Sequence, residues 1–356
     1  MSDPFHFSDR RRFLSHAFAP LLAPALCGLA LPASAQEAKR RLVVATWGGD
    51  YSRLLDQNVS DPLLKPKGIE IAYDTSNWQT RVAKLRAEQK SRRSSYDVVF
   101  LGDTDSYAVS RTGVLETVSA TRLSNWGHIL PVFRTDYGVP HIYSGLGLIY
   151  HTERLKSPPQ SFKDLADPVF KGRIGFSDIM YANNIGAAAV ATGANAHELD
   201  RGFDLLRKVK ANQPKLYPSN EALAAAFKSG EIDVTIMWKA RAHLWQKTGL
   251  PVAFSAFREK ILVSVYEAIV PRNSQNKDAA FEYANALVEA SAQSGFADSM
   301  GFLPVVDNAT LSPELRRSVD FSDEERARFA RTDFDKLIAA RPAALDFWEK
   351  EFKVGL

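Results

Sequence analysis

The side chains best suited to recognition chemistry stand where strand-like apolar runs end. Trp47 closes the run Arg41-Leu42-Val43-Val44-Ala45-Thr46, and Gly48 and Gly49 follow it without a Cβ to block the approach of a ligand or a backbone amide. Tyr51 lies one turn further on. Asp103 follows Gly102 at the end of Tyr96-Asp97-Val98-Val99-Phe100-Leu101, Asp178 follows the run Gly172 to Phe176, and Trp238 ends the run from Asp233. A cation over an indole face gains ~0.5 to 2 kcal/mol, and a carboxylate pairs with an ammonium group, so this set suits a small solute that carries an amine. Each residue also has a plainer use. The tryptophans can pack in a core, Asp103 and Asp178 can cap the helices that follow them, and Trp245 falls two turns into a helix where packing is its expected role.

Other chemistries lack their parts. Cys27 is the only cysteine, and it lies in an N-terminal stretch that reads as an export signal, which leaves the mature chain no thiol for a disulfide, a thiolate metal site or a nucleophile. His128, His141, His151, His197 and His243 show no close metal-ligand spacing, there is no Gly-x-Ser-x-Gly elbow, and neither phosphate-binding glycine pattern is complete. No catalytic residue, cofactor or metal site is expected, and the chain reads as a non-enzyme.

The export signal is assigned to residues 1–35. Arg10-Arg11-Arg12-Phe13-Leu14 precedes an apolar stretch from Ala17 to Leu31, and Ala33-Ser34-Ala35 offers the small side chains a signal peptidase accepts. The Arg-Arg-x-Phe-Leu order resembles twin-arginine signals; an ordinary basic n-region is the alternative. Pro20 and Pro24 interrupt the stretch, which is shorter than the roughly 20 apolar residues of a membrane span, so cleavage is expected. Leu26 before Cys27 disfavours lipid attachment. The mature protein is placed in the periplasm. Net charge is +4 for the whole chain and +3 without the signal, which carries three arginines against Asp3 and Asp9. The charges are mixed along the sequence, so no nucleic-acid partner is expected.

The elements that must position these residues follow an α/β rhythm. Strand, helix, strand, helix, strand over 41–110 indicates a parallel sheet with right-handed crossovers, and ligands of such sheets collect beyond the carboxyl ends of the strands. The helices are placed at Tyr51 to Asp61, Trp78 to Gln89 with Val82 and Leu85 on one face, and Asp103 to Ser110. A strand from Tyr143 to His151 then opens a second α/β unit. It continues with strands at 172–176, 233–238, 252–254 and 261–270, and with helices at 181–193, 198–209 and 220–228. An amphipathic helix from Lys277 to Gln293 follows, and the remainder is mostly helical with Pro304, Pro313 and Pro342 marking stops. About 320 mature residues suit two domains.

Several segments together resemble the type 2 periplasmic solute-binding proteins of ABC importers, in particular the spermidine/putrescine-binding branch. They are Thr46-Trp47-Gly48-Gly49-Asp50-Tyr51, Tyr96-Asp97-Val98-Val99, Gly147-Leu148-Ile149-Tyr150, Ser161-Phe162-Lys163-Asp164-Leu165, Phe170-Lys171-Gly172-Arg173-Ile174, Ser229-Gly230-Glu231-Ile232-Asp233 and Gly301-Phe302-Leu303-Pro304-Val305. The resemblance implies an α/β fold of two lobes with parallel and mixed sheets, joined by hinge segments around a cleft. The first lobe would comprise 36–142 and 266–307, the second 143–265 and 308–356. It also implies a permease partner in the inner membrane and a monomeric receptor. Of individual positions, it implies ligand contact at Trp47 and an aromatic lining role for Tyr143.

Polyamine binders of this kind place a tryptophan and an aspartate on the strand before the last crossing. Alignment on Val270-Pro271 puts Ser264 and Tyr266 there instead, with Glu267 one residue off and turned to the opposite face by the two-residue period of a strand. A smaller amine, an amino acid derivative, an aminophosphonate or a thiamine-like cation therefore stands beside a polyamine as the solute. The adjacent tyrosine pair of iron-binding relatives is missing. A related lobe topology occurs in porphobilinogen deaminase, which needs a cysteine, and a sensor or scaffold using the same cleft is a further alternative.

Overall fold

The computed structural model describes residues 40–356. The expected export signal, Cys27 and the cleavage site lie outside the described residues. Three parallel strands open the chain: β1 (Arg40–Thr46), β2 (Ile69–Thr75) and β3 (Val98–Gly102), laid side by side in the order β2-β1-β3. Leu42, Val44, Ala45 and the run Val98 to Leu101 are buried because helices cover both faces of a parallel sheet. Those helices are α1 (Asp50–Leu55), prolonged by wider turns over Asp56–Leu64, α2 (Trp78–Ala87) and α3 (Asp103–Ser110). Asn77 caps α2 by accepting the amide hydrogen of Thr80 at 2.8 Å.

Strand β4 (Val139–His151) is 13 residues long and belongs to both halves of the molecule. The second half adds β5 (Ile174–Ser177), α4 (Tyr181–Ala191), α5 (Phe203–Lys210), β6 (Lys215–Tyr217), α6 (Asn220–Ser229), β7 (Val234–Trp238), α7 (Lys239–Lys247) and β8 (Val252–Ala256), after which β9 (Val263–Ile269) returns to the first. From Val139 to Gly145, β4 pairs antiparallel with β9; from Leu146 to His151 it pairs with β7 and β8. The full order is β2-β1-β3-β9-β4-β7-β5-β6. One large apolar core gathers Leu42, Phe100, Ile142, Tyr283 and Phe296, and the other gathers Leu148, Phe162, Phe176, Ile236 and Trp348. The molecule is thus a two-lobed α/β protein with mixed sheets.

The C-terminal third departs from the sequence reading in two places. The single helix expected from Lys277 to Gln293 is two, α8 (Lys277–Leu287) and α9 (Ala290–Met300), with Glu289 extended between them. Gln293 explains the break: its buried amide donates to the carbonyls of His141 and Leu287, both at 2.6 Å, and accepts from the Val305 amide at 2.8 Å, so the chain is re-aimed to satisfy three buried backbone groups. The prolines are not stops either. Pro304 sits in the short strand β10 (Leu303–Pro304), Pro313 starts α10 (Pro313–Val319) at its first position, where a missing N–H costs nothing, and after α11 (Asp323–Ala327) Pro342 lies inside α12 (Phe334–Phe347). Burial of Ala344, Phe347, Trp348 and Phe352 in the second core offsets the hydrogen bond lost there. Leu311, Leu315, Val319 and Phe321 join the first core, so the stretch after Asn308 contributes to both.

Candidate ligand-binding site

The carboxyl ends of β1, β2 and β3 form one rim. Trp47 leaves β1 half-buried, and the exposed pair Gly48-Gly49 turns the chain into α1, with Gly49 at φ 66°, a conformation that glycine adopts without strain. Tyr51 on the inward face of α1 packs edge-on to Trp47 at 5.2 Å and to Phe100 at 5.7 Å, and its hydroxyl shares a 2.8 Å hydrogen bond with His141 Nδ1. Burial lowers the His141 pKa to about 3, so the imidazole is neutral at physiological pH. Tyr51 is therefore the buried support of Trp47. From β9, Tyr266 meets Trp47 edge-on at 4.9 Å, and together these rings make an aromatic corner.

A cation completes that corner. The Arg81 guanidinium carbon stands 4.4 Å from the centroid of the Trp47 ring, and its side chain is fully buried on the inward face of α2 beside Val82 and Leu85. Nη1 donates to the Ser76 carbonyl at 2.8 Å; Nε and Nη2 have no acceptor among the described residues. Burial pulls its pKa down to about 10, which still leaves it charged.

A few residues away a narrow cavity opens between the halves, lined by Asp103, Thr104, Val263 and Ser264 from one side and by Ala182, Asn183, Phe334 and Arg341 from the other. Gly102 occupies the N-cap position of α3, which puts Asp103 at the first helical residue. Its Oδ1 accepts from the Thr104 amide at 2.7 Å, and Oδ2 accepts from the Val265 amide at 3.2 Å. Burial raises the Asp103 pKa to about 6 against the opposing pull of those N–H groups. Glu267 points to the other face of β9, toward Gly138 and Tyr137, with Oε2 unpartnered among the described residues. Burial first, then the Asp103 charge, push its pKa up to about 8, so it is mostly protonated at neutral pH. Two contacts tie α3 to α12 across the cavity: Arg341 Nη1 to Asp105 Oδ1 at 2.7 Å, and the Tyr107 hydroxyl donating to Asp335 Oδ2 at 2.9 Å.

Three residues singled out in the sequence do not stand with this group. Tyr143 is buried in the first core, where its hydroxyl accepts from Arg326 Nη1 at 2.8 Å and its ring packs on Phe133 at 4.7 Å. Asp178 accepts from Trp348 Nε1 at 2.7 Å and Lys353 Nζ at 3.1 Å, so it anchors the C-terminal segment. Trp238 is buried in the second core, as is Trp245, whose ring lies 5.6 Å from Phe227. Sequence reasoning missed Arg81, Asn183 and Arg341, whereas Ser264 stands at a position that the alignment on Val270-Pro271 marks. Of the three missed, only Arg81 left a signal in the sequence, as a cation on the Val82 and Leu85 stripe of α2.

A family model described as bacterial extracellular solute-binding protein matches residues 59–322. The chain belongs to that family. As a member of this family it is an extracellular solute-binding protein. Its relatives include the spermidine/putrescine-binding periplasmic protein 1 of Haemophilus influenzae, 21% identical over 76% of this chain and 80% of the relative. An uncharacterised protein of the same organism is 24% identical over 92% of this chain and 95% of the relative. Among solved structures, a GABA receptor superimposes with a TM-score of 0.78 at 22% identity, covering 89% of this solute-binding protein and 98% of the receptor. The spermidine/putrescine ABC transporter substrate-binding protein of Streptococcus pneumoniae gives 0.72 at 16% identity, covering 88% and 99%. These likenesses show the two-lobed type 2 periplasmic binding fold. Among the described residues no helix is long and apolar enough to cross a membrane.

Proposed function

We propose that this solute-binding protein is a periplasmic receptor that holds a small amine-bearing solute between its lobes, polyamines and shorter amines being the first candidates, and hands it unaltered to an inner-membrane permease. The observation that carries this reading is Asp103: a carboxylate fixed by two backbone N–H groups at the end of β3, facing a cavity lined from both sides of the molecule. An ammonium group placed there gains a charge-assisted hydrogen bond in a desolvated setting. The aromatic corner of Trp47 and Tyr266 beside it favours the same charge. Contact with both halves would make the closed form the better binder, which is how a ligand drives closure.

The test is a thermal-shift screen of straight-chain mono-, di- and triamines followed by calorimetry on the best binder, since a ligand held only by the folded form raises Tm by mass action. Asp103→Asn is expected to weaken binding at least tenfold while the variant still folds. Because the Asp103 pKa is raised to about 6, wild-type affinity for the amine should fall as pH drops from 7 to 5, and the variant should lose that dependence. Equal affinity of wild type and variant would remove Asp103 from the site, and recovery of a chemically changed compound would end the receptor reading.

A further inference from the structure

The inference rests on the reading just given and concerns the far end of the same solute: we propose that the solute also carries a carboxylate, and that the Nε and Nη2 edge of Arg81 binds it. Three features of Arg81 lead there. It is fully buried, its Nη1 is engaged by the Ser76 carbonyl, and its remaining edge, Nε with Nη2, has no acceptor among the described residues. That edge presents two roughly parallel N–H bonds at the spacing of the two oxygens of a carboxylate. Elsewhere in the same molecule Arg173 uses it in just this way, with Nε to Asp233 Oδ2 at 2.6 Å and Nη2 to Asp233 Oδ1 at 2.8 Å.

The acids nearest Arg81 are committed to other cations. Asp74 lies 3.7 Å from Lys84, and Asp105 lies 2.7 Å from Arg341. A buried guanidinium with two unmet donors destabilises the protein that contains it, so its presence at a rim, and not in a sealed core network, calls for an acid that comes from outside. The guanidinium carbon lies over the Trp47 ring, and a cation held by an aromatic face keeps its N–H groups for hydrogen bonds. Trp47 is itself half-exposed at the carboxyl end of β1, where Gly48-Gly49 follow it. Tyr266 touches Trp47 and pairs across the sheet with Gly102, the residue before Asp103, which puts the acid-binding and amine-binding groups on one rim. The solute class is an amino acid whose two charges are separated by a short apolar chain.

The experiment titrates wild type and Arg81→Lys by calorimetry with straight-chain ω-amino acids of graded length, the methyl ester of each, and the diamine of matching length. Lysine keeps the charge and lacks the two-pronged edge. The wild type is expected to bind an amino acid at least tenfold more tightly than its ester, and Arg81→Lys to lose at least tenfold for the acid with no change for the ester. The comparison of acid with ester needs no variant to fold. Equal binding of acid and ester, or full acid affinity in Arg81→Lys, overturns the inference. Tight binding of diamines in place of the acids overturns it and leaves the receptor for amines standing, whereas a wild type that binds none of the compounds overturns both.

Discussion

Two carboxyl groups with raised pKa values, Asp103 at the start of α3 and Glu267 on β9, make the residue scale sensitive to pH. Glu267 ionises in the folded protein only near pH 8, against an ordinary value of 4.5, because it is desolvated and faces the charge of Asp103. The sign follows from linkage. A group whose folded pKa is raised supports the fold fully below its unfolded value, and that support is lost as pH climbs through the folded value. Stability should therefore decline between about pH 5 and 8, by on the order of 1.4 kcal/mol for each unit at most. Glu267→Gln, which keeps the shape and removes the ionisation, should flatten that decline in urea titrations run at pH 5, 6.5 and 8. An unchanged pH profile in the variant would show that another group titrates. At this scale the sequence was partly legible. Trp47 and Asp103 are marked by their place after a strand, but the pairing of Glu267 with Asp103 depends on β9 lying antiparallel to β3, with Leu101 opposite Glu267, which no local pattern announces.

Among the elements, the first α/β unit was readable because each strand and helix there is set by its own residues. The apolar runs of β1 to β3 and the cap at Asn77 are local, and Asp103 to Ser110 forms a helix with the bounds expected. The break between α8 and α9 was not readable, since it answers to His141, far away in the chain, and to Val305, which lies beyond the end of α9. Glycines in β4 record a similar long-range demand. A Cβ on Gly147 would stand 2.4 Å from Phe254 Cζ and 2.6 Å from the Ser255 carbonyl oxygen, because β8 pairs antiparallel with β4 there. Gly147→Ala should cost roughly 1 to 3 kcal/mol from overpacking. Urea denaturation measures it, and a variant as stable as wild type would mean that β8 can shift freely away from β4.

For the whole molecule, the contacts from α3 to α12 decide how firmly the halves are held together. The ion pair of Arg341 with Asp105 is partly buried and contributes on the order of 0.5 to 1 kcal/mol, and the hydrogen bond from Tyr107 to Asp335 is exposed. Joint replacement, Asp105→Asn with Tyr107→Phe, should favour separated lobes. We expect a larger radius of gyration in X-ray scattering and solute affinity reduced about two- to tenfold, because 1.4 kcal/mol is a factor of ten. An unchanged radius and affinity would show that other contacts hold the closed form. The long shared strand β4 sets a different constraint. Each sheet borrows half of one continuous strand, parted only between Gly145 and Leu146. The second sheet draws all its strands from residues 146–256, but the first is incomplete until the late-synthesised β9 returns between β3 and β4, which makes its assembly of low locality and correspondingly slow.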